Sequence, residues 1–239
     1  MPSLSSAALA LAFAAAVYLH ARCITDPNPP QTRESHRIPD RISLLAGPSH
    51  NTARRIATAA SLYHALLMLY YPPTGPNDTG DVLPQLCPRP ANTAPSLFAW
   101  SPTTIVCILS MFLGGAIRLS AFGGLGRFFT FRLAAPDQLV TSGVYSFVQH
   151  PSYTGQVLLM VPNLWLVFGW NATAACFVDA GLLAWVRGWG VWASGVFGAA
   201  VLAGMGLRVR DEERMLREKF GDEWVAWNRK TKRFIPGVF

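Results

Sequence analysis

"TGQVLLMVPNLWLVFGWNATAACFVDAGLLAWVRGWGVWASGVFGAAVLAGMGL", Thr154 to Leu207, carries only two charged residues, Asp179 and Arg187. An apolar helix needs about 20 residues to cross a bilayer, so this stretch has room for two crossings folded back as a hairpin. Pro162, Asn163 and the Gly-rich "RGWGVWASG" interrupt it, and "WNATAACFVDAG" reads as an interfacial or re-entrant piece. The place of the turn stays open on sequence alone.

Working toward the N-terminus, three more apolar runs are long enough to span: Leu97 to Phe122, Ile56 to Tyr71 with its flanks, and Leu4 to Ala21. The first run in the chain lacks the basic leading segment of a signal peptide, which favours a retained helix. The expected fold is an all-α integral membrane protein with about five transmembrane helices, a C-terminal helical hairpin and a cytosolic amphipathic tail helix. Residues 1–122 would hold three spans with their loops, and residues 123–239 a core with the hairpin and tail.

Composition agrees. Of 239 residues, 51% are hydrophobic and 14% charged, where a soluble domain carries about 25%. The net charge is +7, and nine of the 20 Lys and Arg fall between Arg208 and Arg233, interleaved with Asp211, Glu212, Glu213, Glu218, Asp222 and Glu223. So many acids suit a solvated helix at an anionic membrane surface better than a nucleic-acid patch. Cys23, Cys87, Cys107 and Cys176 form no CxxC and no Cys/His ligand spacing. Buried or lipid-facing thiols are therefore expected, rather than structural zinc or a disulfide framework. No P-loop, dinucleotide fingerprint or nucleophile elbow is present.

Orientation follows from loop cations. Residues 22–55 carry Arg22, Arg33, Arg37, Arg41, Arg54 and Arg55; residues 72–96 carry Arg89 alone, with Asp78 and Asp81. Arg127 and Arg132 lie in residues 123–152, and the tail is basic. Alternation then puts the first, third and last of these segments in the cytosol and the N-terminus in the lumen, which five spans satisfy. The sequon at Asn77 falls in the luminal loop.

Two polar constellations flank the hairpin on that cytosolic side. "SFVQHPSYTGQ", Ser146 to Gln156, places a histidine, a proline and a tyrosine at the mouth of an apolar run. Pro151 is suited to the first helical position, and His150 and Ser152 lie beside free N–H groups that favour an anion. Interfacial anchoring by Tyr145, Phe147 and Tyr153 is the plainer alternative. In the tail, Arg208 and Glu212 are four apart and share a helix face, with Glu213 one step round. Leu216, Phe220, Trp224 and Trp227 form an apolar stripe. An interfacial salt bridge accounts for Arg208 and Glu212 as well as a binding site does.

Taken together, "FFTFRL" (Phe128 to Leu133), "LVTSGVYSFVQHPSYTG", "RVRDEE" and "FGDEWVAWNRKTKRFIPGVF" resemble the isoprenylcysteine carboxyl methyltransferases, in the family's order. The resemblance covers roughly the C-terminal half, making 123–239 the methyltransferase core. It implies S-adenosylmethionine as methyl donor and the C-terminal carboxylate of prenylated CaaX proteins as acceptor. It also implies a multi-pass place in the endoplasmic reticulum membrane, with the site facing the cytosol and neither metal nor nucleic acid involved. The cofactor-binding positions it implies are Thr130, Asp137, Gln138, Leu139, Val140, Tyr145, His150, Pro151, Ser152, Tyr153 and Glu212, with Arg208 facing the acceptor carboxylate. One departure stands out: the family has Arg before His-Pro and this chain has Gln149, a lost charge that bears on head-group preference or cofactor affinity. A phospholipid N-methyltransferase and a catalytically silent membrane scaffold are the competing readings.

Overall fold

The computed structural model describes residues 2–28, 48–71, 82–131 and 133–237. Arg33, Arg37, Arg41, Asn77, Asp78, Asp81 and Arg132 lie outside the described residues, so the loop readings that use them do too. Among the described residues six α-helices follow one another: α1 (Leu4–Cys23), α2 (Pro48–Tyr70), α3 (Val82–Leu86), α4 (Pro102–Leu125), α5 (Pro151–Phe168) and α6 (Ala180–Lys230). Among the described residues the only extended pairing is a single parallel bridge between Val148 and Lys232. The chain is an all-α, multi-pass membrane protein.

Among the described residues four segments are long and apolar enough to cross a bilayer: Leu4–Cys23, Pro95–Phe128, Pro151–Cys176 and Trp192–Lys230. The fifth leg is α2, which falls short on composition. It runs antiparallel to α1: Arg54 reaches Thr25 near one end, and Phe13 packs edge-on against His64 toward the other. The polar groups of α2 turn inward and are satisfied there. Ser61 Oγ donates to Asn163 Oδ1 at 3.1 Å, while the His64 ring meets Thr173 Oγ1 at 2.7 Å and the Leu97 carbonyl at 3.2 Å. Buried polar atoms without partners are costly in a bilayer, and these pairings remove that cost.

α4 and α5 pack antiparallel at close range. Gly114 and Gly155 face each other so tightly that a Cβ on Gly155 would sit 2.6 Å from the Gly114 carbonyl oxygen. Small residues let membrane helices approach in this way.

The hairpin turns at residues 169–179, settling what the sequence left open. "RGWGVWASG" stays helical within α6. The two charges of the long run both work at this turn: Asp179 Oδ1 caps α6 by accepting from the Gly181 N–H at 2.9 Å, and Arg187 donates to the Asn92 carbonyl. A disulfide, Cys87–Cys176, joins this turn to the segment after α3. That corrects the expectation of four free thiols. Partners 89 residues apart in sequence leave no local spacing to read, and only the folding of residues 82–98 over the turn brings them together. Cys23 and Cys107 are free and buried.

The tail helix is continuous with the last span. α6 passes from the span into the tail and is interrupted at Gly221, whose φ of 52° glycine adopts without strain, before a second helical stretch that ends at Lys230. Leu216, Trp224 and Trp227 are buried against Ala121, Tyr145 and Met215, with Phe220 packed alongside. The apolar stripe therefore docks on the protein rather than on lipid.

Candidate active site

At the end of the bundle where α4 finishes and α5 begins, a cavity of about 600 Å³ opens between α5, α6 and the 128–140 segment. α5 and α6 meet at both ends of their hairpin but part in the middle. Trp170 Nε1 donates to Ser194 Oγ at one end, and Tyr153 meets Arg208 and Glu212 at the other. Met160, Phe197, Val201 and Met205 line the space between. The outer face of α6 is bare there: Trp185, Trp189 and Trp192 are each about two-thirds or more exposed, as suits a helix bathed in lipid.

The other end of the cavity is polar. Pro151 opens α5 at its first position, with His150 as the preceding cap residue. Tyr153, on the first turn, donates its hydroxyl hydrogen to Glu212 Oε2 at 3.0 Å and accepts from Arg208 Nε at 3.2 Å. Arg208 Nη2 also donates to the Phe131 carbonyl. His150 lies 3.9 Å from Glu212 through Nδ1 and 3.3 Å from Glu213 through Nε2. Tyr145 is buried, its hydroxyl donating to the Ala121 carbonyl at 3.2 Å. Burial pushes its phenol pKa well up, and the Glu212 carboxylate adds to that, so it stays a neutral donor.

Residues far apart in sequence thus converge. Thr130, Leu139, Val140, Tyr145, His150, Pro151, Ser152, Tyr153, Arg208 and Glu212 all line this cavity. Asp137 and Gln138 do not; both are exposed, outside the wall. Of the three aromatic residues that interfacial anchoring would use, only Phe147 is exposed.

Residues 105–187, about a third of the chain, match the model of the isoprenylcysteine carboxyl methyltransferase (ICMT) family. Over this stretch the chain is similar to that family. The matched stretch runs from α4 through α5 into α6. It includes the His150–Tyr153 wall and stops short of Arg208 and Glu212. No curated protein and no solved structure matches the chain.

Three side chains of this site escaped the sequence reading. Arg118, buried in α4, donates from Nε to the Cys23 carbonyl at 2.8 Å and from Nη1 to the carbonyl and hydroxyl oxygens of Ser152 at 2.8 and 2.7 Å. Its signal was available: a lone cation inside an apolar span is expensive there and marks function or a fixed structural pairing. Glu213 was seen only as a neighbour of Glu212, and Arg233, which grips it at 2.7 and 2.9 Å, left no local signal. Gln149 is a wall residue whose amide nitrogen turns to the tail, donating to Asn228 Oδ1 at 2.8 Å and Thr231 Oγ1 at 3.1 Å. At this position the chain spends its side chain on holding the C-terminal segment.

Proposed function

We propose that this protein transfers the methyl group of S-adenosylmethionine to the C-terminal carboxylate of a prenylated cysteine in CaaX-processed proteins. The observation that carries the reading is the two-ended cavity, with ionisable groups gathered at one end and an apolar cleft between lipid-facing helices at the other. A charged donor and an acceptor with a hydrocarbon tail need those two environments in one place.

The residues fit the donor. A volume of about 600 Å³ lies in the range of small-molecule sites. His150 Nδ1 is buried without a hydrogen-bond partner, so the wall has an unfilled polar position. The donor supplies an electrophilic methyl on a sulfonium, beside an aminocarboxylate. Glu212 would pair with the ammonium, and Tyr153 and Tyr145 would offer ring faces to the cationic sulfur and the adenine. The acceptor carboxylate is already ionised at neutral pH, so no general base is required of the chain. Its residues orient the reactants and exclude water. Arg208, at the cavity edge, has the planar fork to grip the acceptor carboxylate.

The proposed setting is the endoplasmic reticulum membrane, with this end of the bundle cytosolic. The Arg-rich flanks of α1 and α2 support it, as does the disulfide at the opposite end of the bundle, since disulfides persist in oxidising compartments. The test is methylation of acetyl-farnesyl-cysteine by purified protein, with the geranylgeranyl analogue alongside and labelled donor supplied. Base-labile methyl esters are expected. Label in phospholipid head groups instead would replace this reading with N-methylation.

A further inference from the structure

His150 is held more firmly than lining a cavity requires. Its Nε2 lies 3.3 Å from Glu213 Oε1, and Arg233 donates to both oxygens of the same carboxylate at 2.7 and 2.9 Å. Backbone bonds bring Arg233 to that place from the far end of the chain. The Gln149 N–H donates to the Lys232 carbonyl at 2.7 Å, and the His150 N–H to the Arg233 carbonyl at 2.9 Å. Thr154 Oγ1 donates to the Phe234 carbonyl at 3.0 Å. Residues 231–234 thereby form a strap across the start of α5.

The clamp has a chemical consequence. An ionised carboxylate only accepts, and Glu213, bidentate to a guanidinium, is held ionised. Nε2 of His150 therefore carries its hydrogen, which leaves Nδ1 with a lone pair in the neutral ring. Nδ1 is buried, has no hydrogen-bond partner and faces Glu212 Oε1 across 3.9 Å. That gap is too long for a direct hydrogen bond. One donor nitrogen held by Glu212 can reach both acceptors after a small turn of the carboxylate.

We propose that Arg233 and Glu213 are positioning residues which fix the Nε2–H tautomer of His150, so that Nδ1 and Glu212 form an acceptor pair for the ammonium of an amino-acid moiety. The idea rests on the donor site argued above, and it assigns the C-terminal strap to that site. Glu212 supplies the charge and His150 the direction. A carboxylate alone would accept any cation, whereas two acceptors set at an angle select a donor with several N–H bonds.

The experiment compares two ligands on the full-length protein in detergent by calorimetry. S-adenosylhomocysteine carries the ammonium; 5′-methylthioadenosine keeps the nucleoside and lacks the amino acid. Glu213→Gln can donate to Nε2 and so permits the other tautomer. We expect it to weaken S-adenosylhomocysteine about tenfold or more, the size of one lost bond to a charged group, and to leave 5′-methylthioadenosine unchanged. Arg233→Lys, which keeps the charge on a half-exposed side chain, should give an intermediate loss and covers the case that Glu213→Gln does not fold. Nitrogen-15 spectra of labelled histidine should show Nε2–H in the wild type and a changed tautomer in Glu213→Gln. Equal losses for both ligands, no loss for either, or a hydrogen on Nδ1 of the wild type would each overturn the proposal. If the wild type binds neither ligand, the methyl-donor reading itself falls, while the spectra still decide whether the clamp sets the tautomer.

Discussion

Arg208 is the residue whose role is cheapest to decide. Its guanidinium donates to the Tyr153 hydroxyl at 3.2 Å and to the Phe131 carbonyl, in the wall of the cavity. If its task is structural, Arg208→Lys keeps the charge and should change little. If it grips the acceptor carboxylate, Lys loses the second hydrogen bond and the alignment of the reacting oxygen. We expect Arg208→Lys to retain donor binding and thermal stability while turnover falls on the order of a hundredfold, the usual penalty of about 1 Å of misplacement. Near-normal turnover would return Arg208 to a structural part. Glu212→Ala makes the complementary case: its side chain is 29% exposed, so the fold should survive while donor binding by calorimetry disappears. Wild-type affinity in that variant would take Glu212 out of the site. These two residues were legible because four positions on a helix share a face, and His150 because a polar cluster at a helix start needs a reason. Arg233 was not, because it reaches Glu213 only after the chain has passed Gly221 and doubled back to Val148.

At the scale of elements, the most demanding contact is the crossing of α4 and α5. A Cβ on Gly155 would meet the Gly114 oxygen at 2.6 Å and the Arg118 backbone nitrogen at 2.9 Å. Backbone cannot give way as a flexible side chain can, so the helices must separate. Gly155→Ala should therefore cost about 1–3 kcal/mol, the usual range for overpacking, and should pull Arg118 away from Ser152. Gly123→Ala is the control, since nothing lies within 4 Å of its added Cβ and alanine is the better helix former. Thermal unfolding in detergent should show a lowered midpoint for the first and an unchanged or raised one for the second. Equal midpoints would mean that the crossing relaxes freely. The helices themselves were mostly readable from apolar length. Continuity of the last span with the tail was not, because the charges after Leu207 read as a boundary while helical propensity carries on through them.

At the scale of the whole molecule, the two ends of the bundle are chemically unlike. One end gathers His150, Arg208, Glu212 and Glu213; the other is tied by Cys87–Cys176 and by the Arg89 and Asn92 bonds to residues 175–178. A covalent link of this kind stabilises by roughly 2–4 kcal/mol, but only where thiols oxidise, which supports the proposed luminal placement of that end. Loop cations in the sequence support the same proposed placement independently. Two results should then coincide. Non-reducing peptide mapping of protein from sealed microsomes should recover Cys87 and Cys176 in one linked species, and Cys87→Ser should lower the unfolding midpoint. A glycan acceptor inserted within residues 72–81 should be modified, and one within residues 29–47 should not. Efficient modification of the 29–47 acceptor would invert the molecule and place the polar cavity in the lumen, out of reach of a cytosolic prenylated substrate.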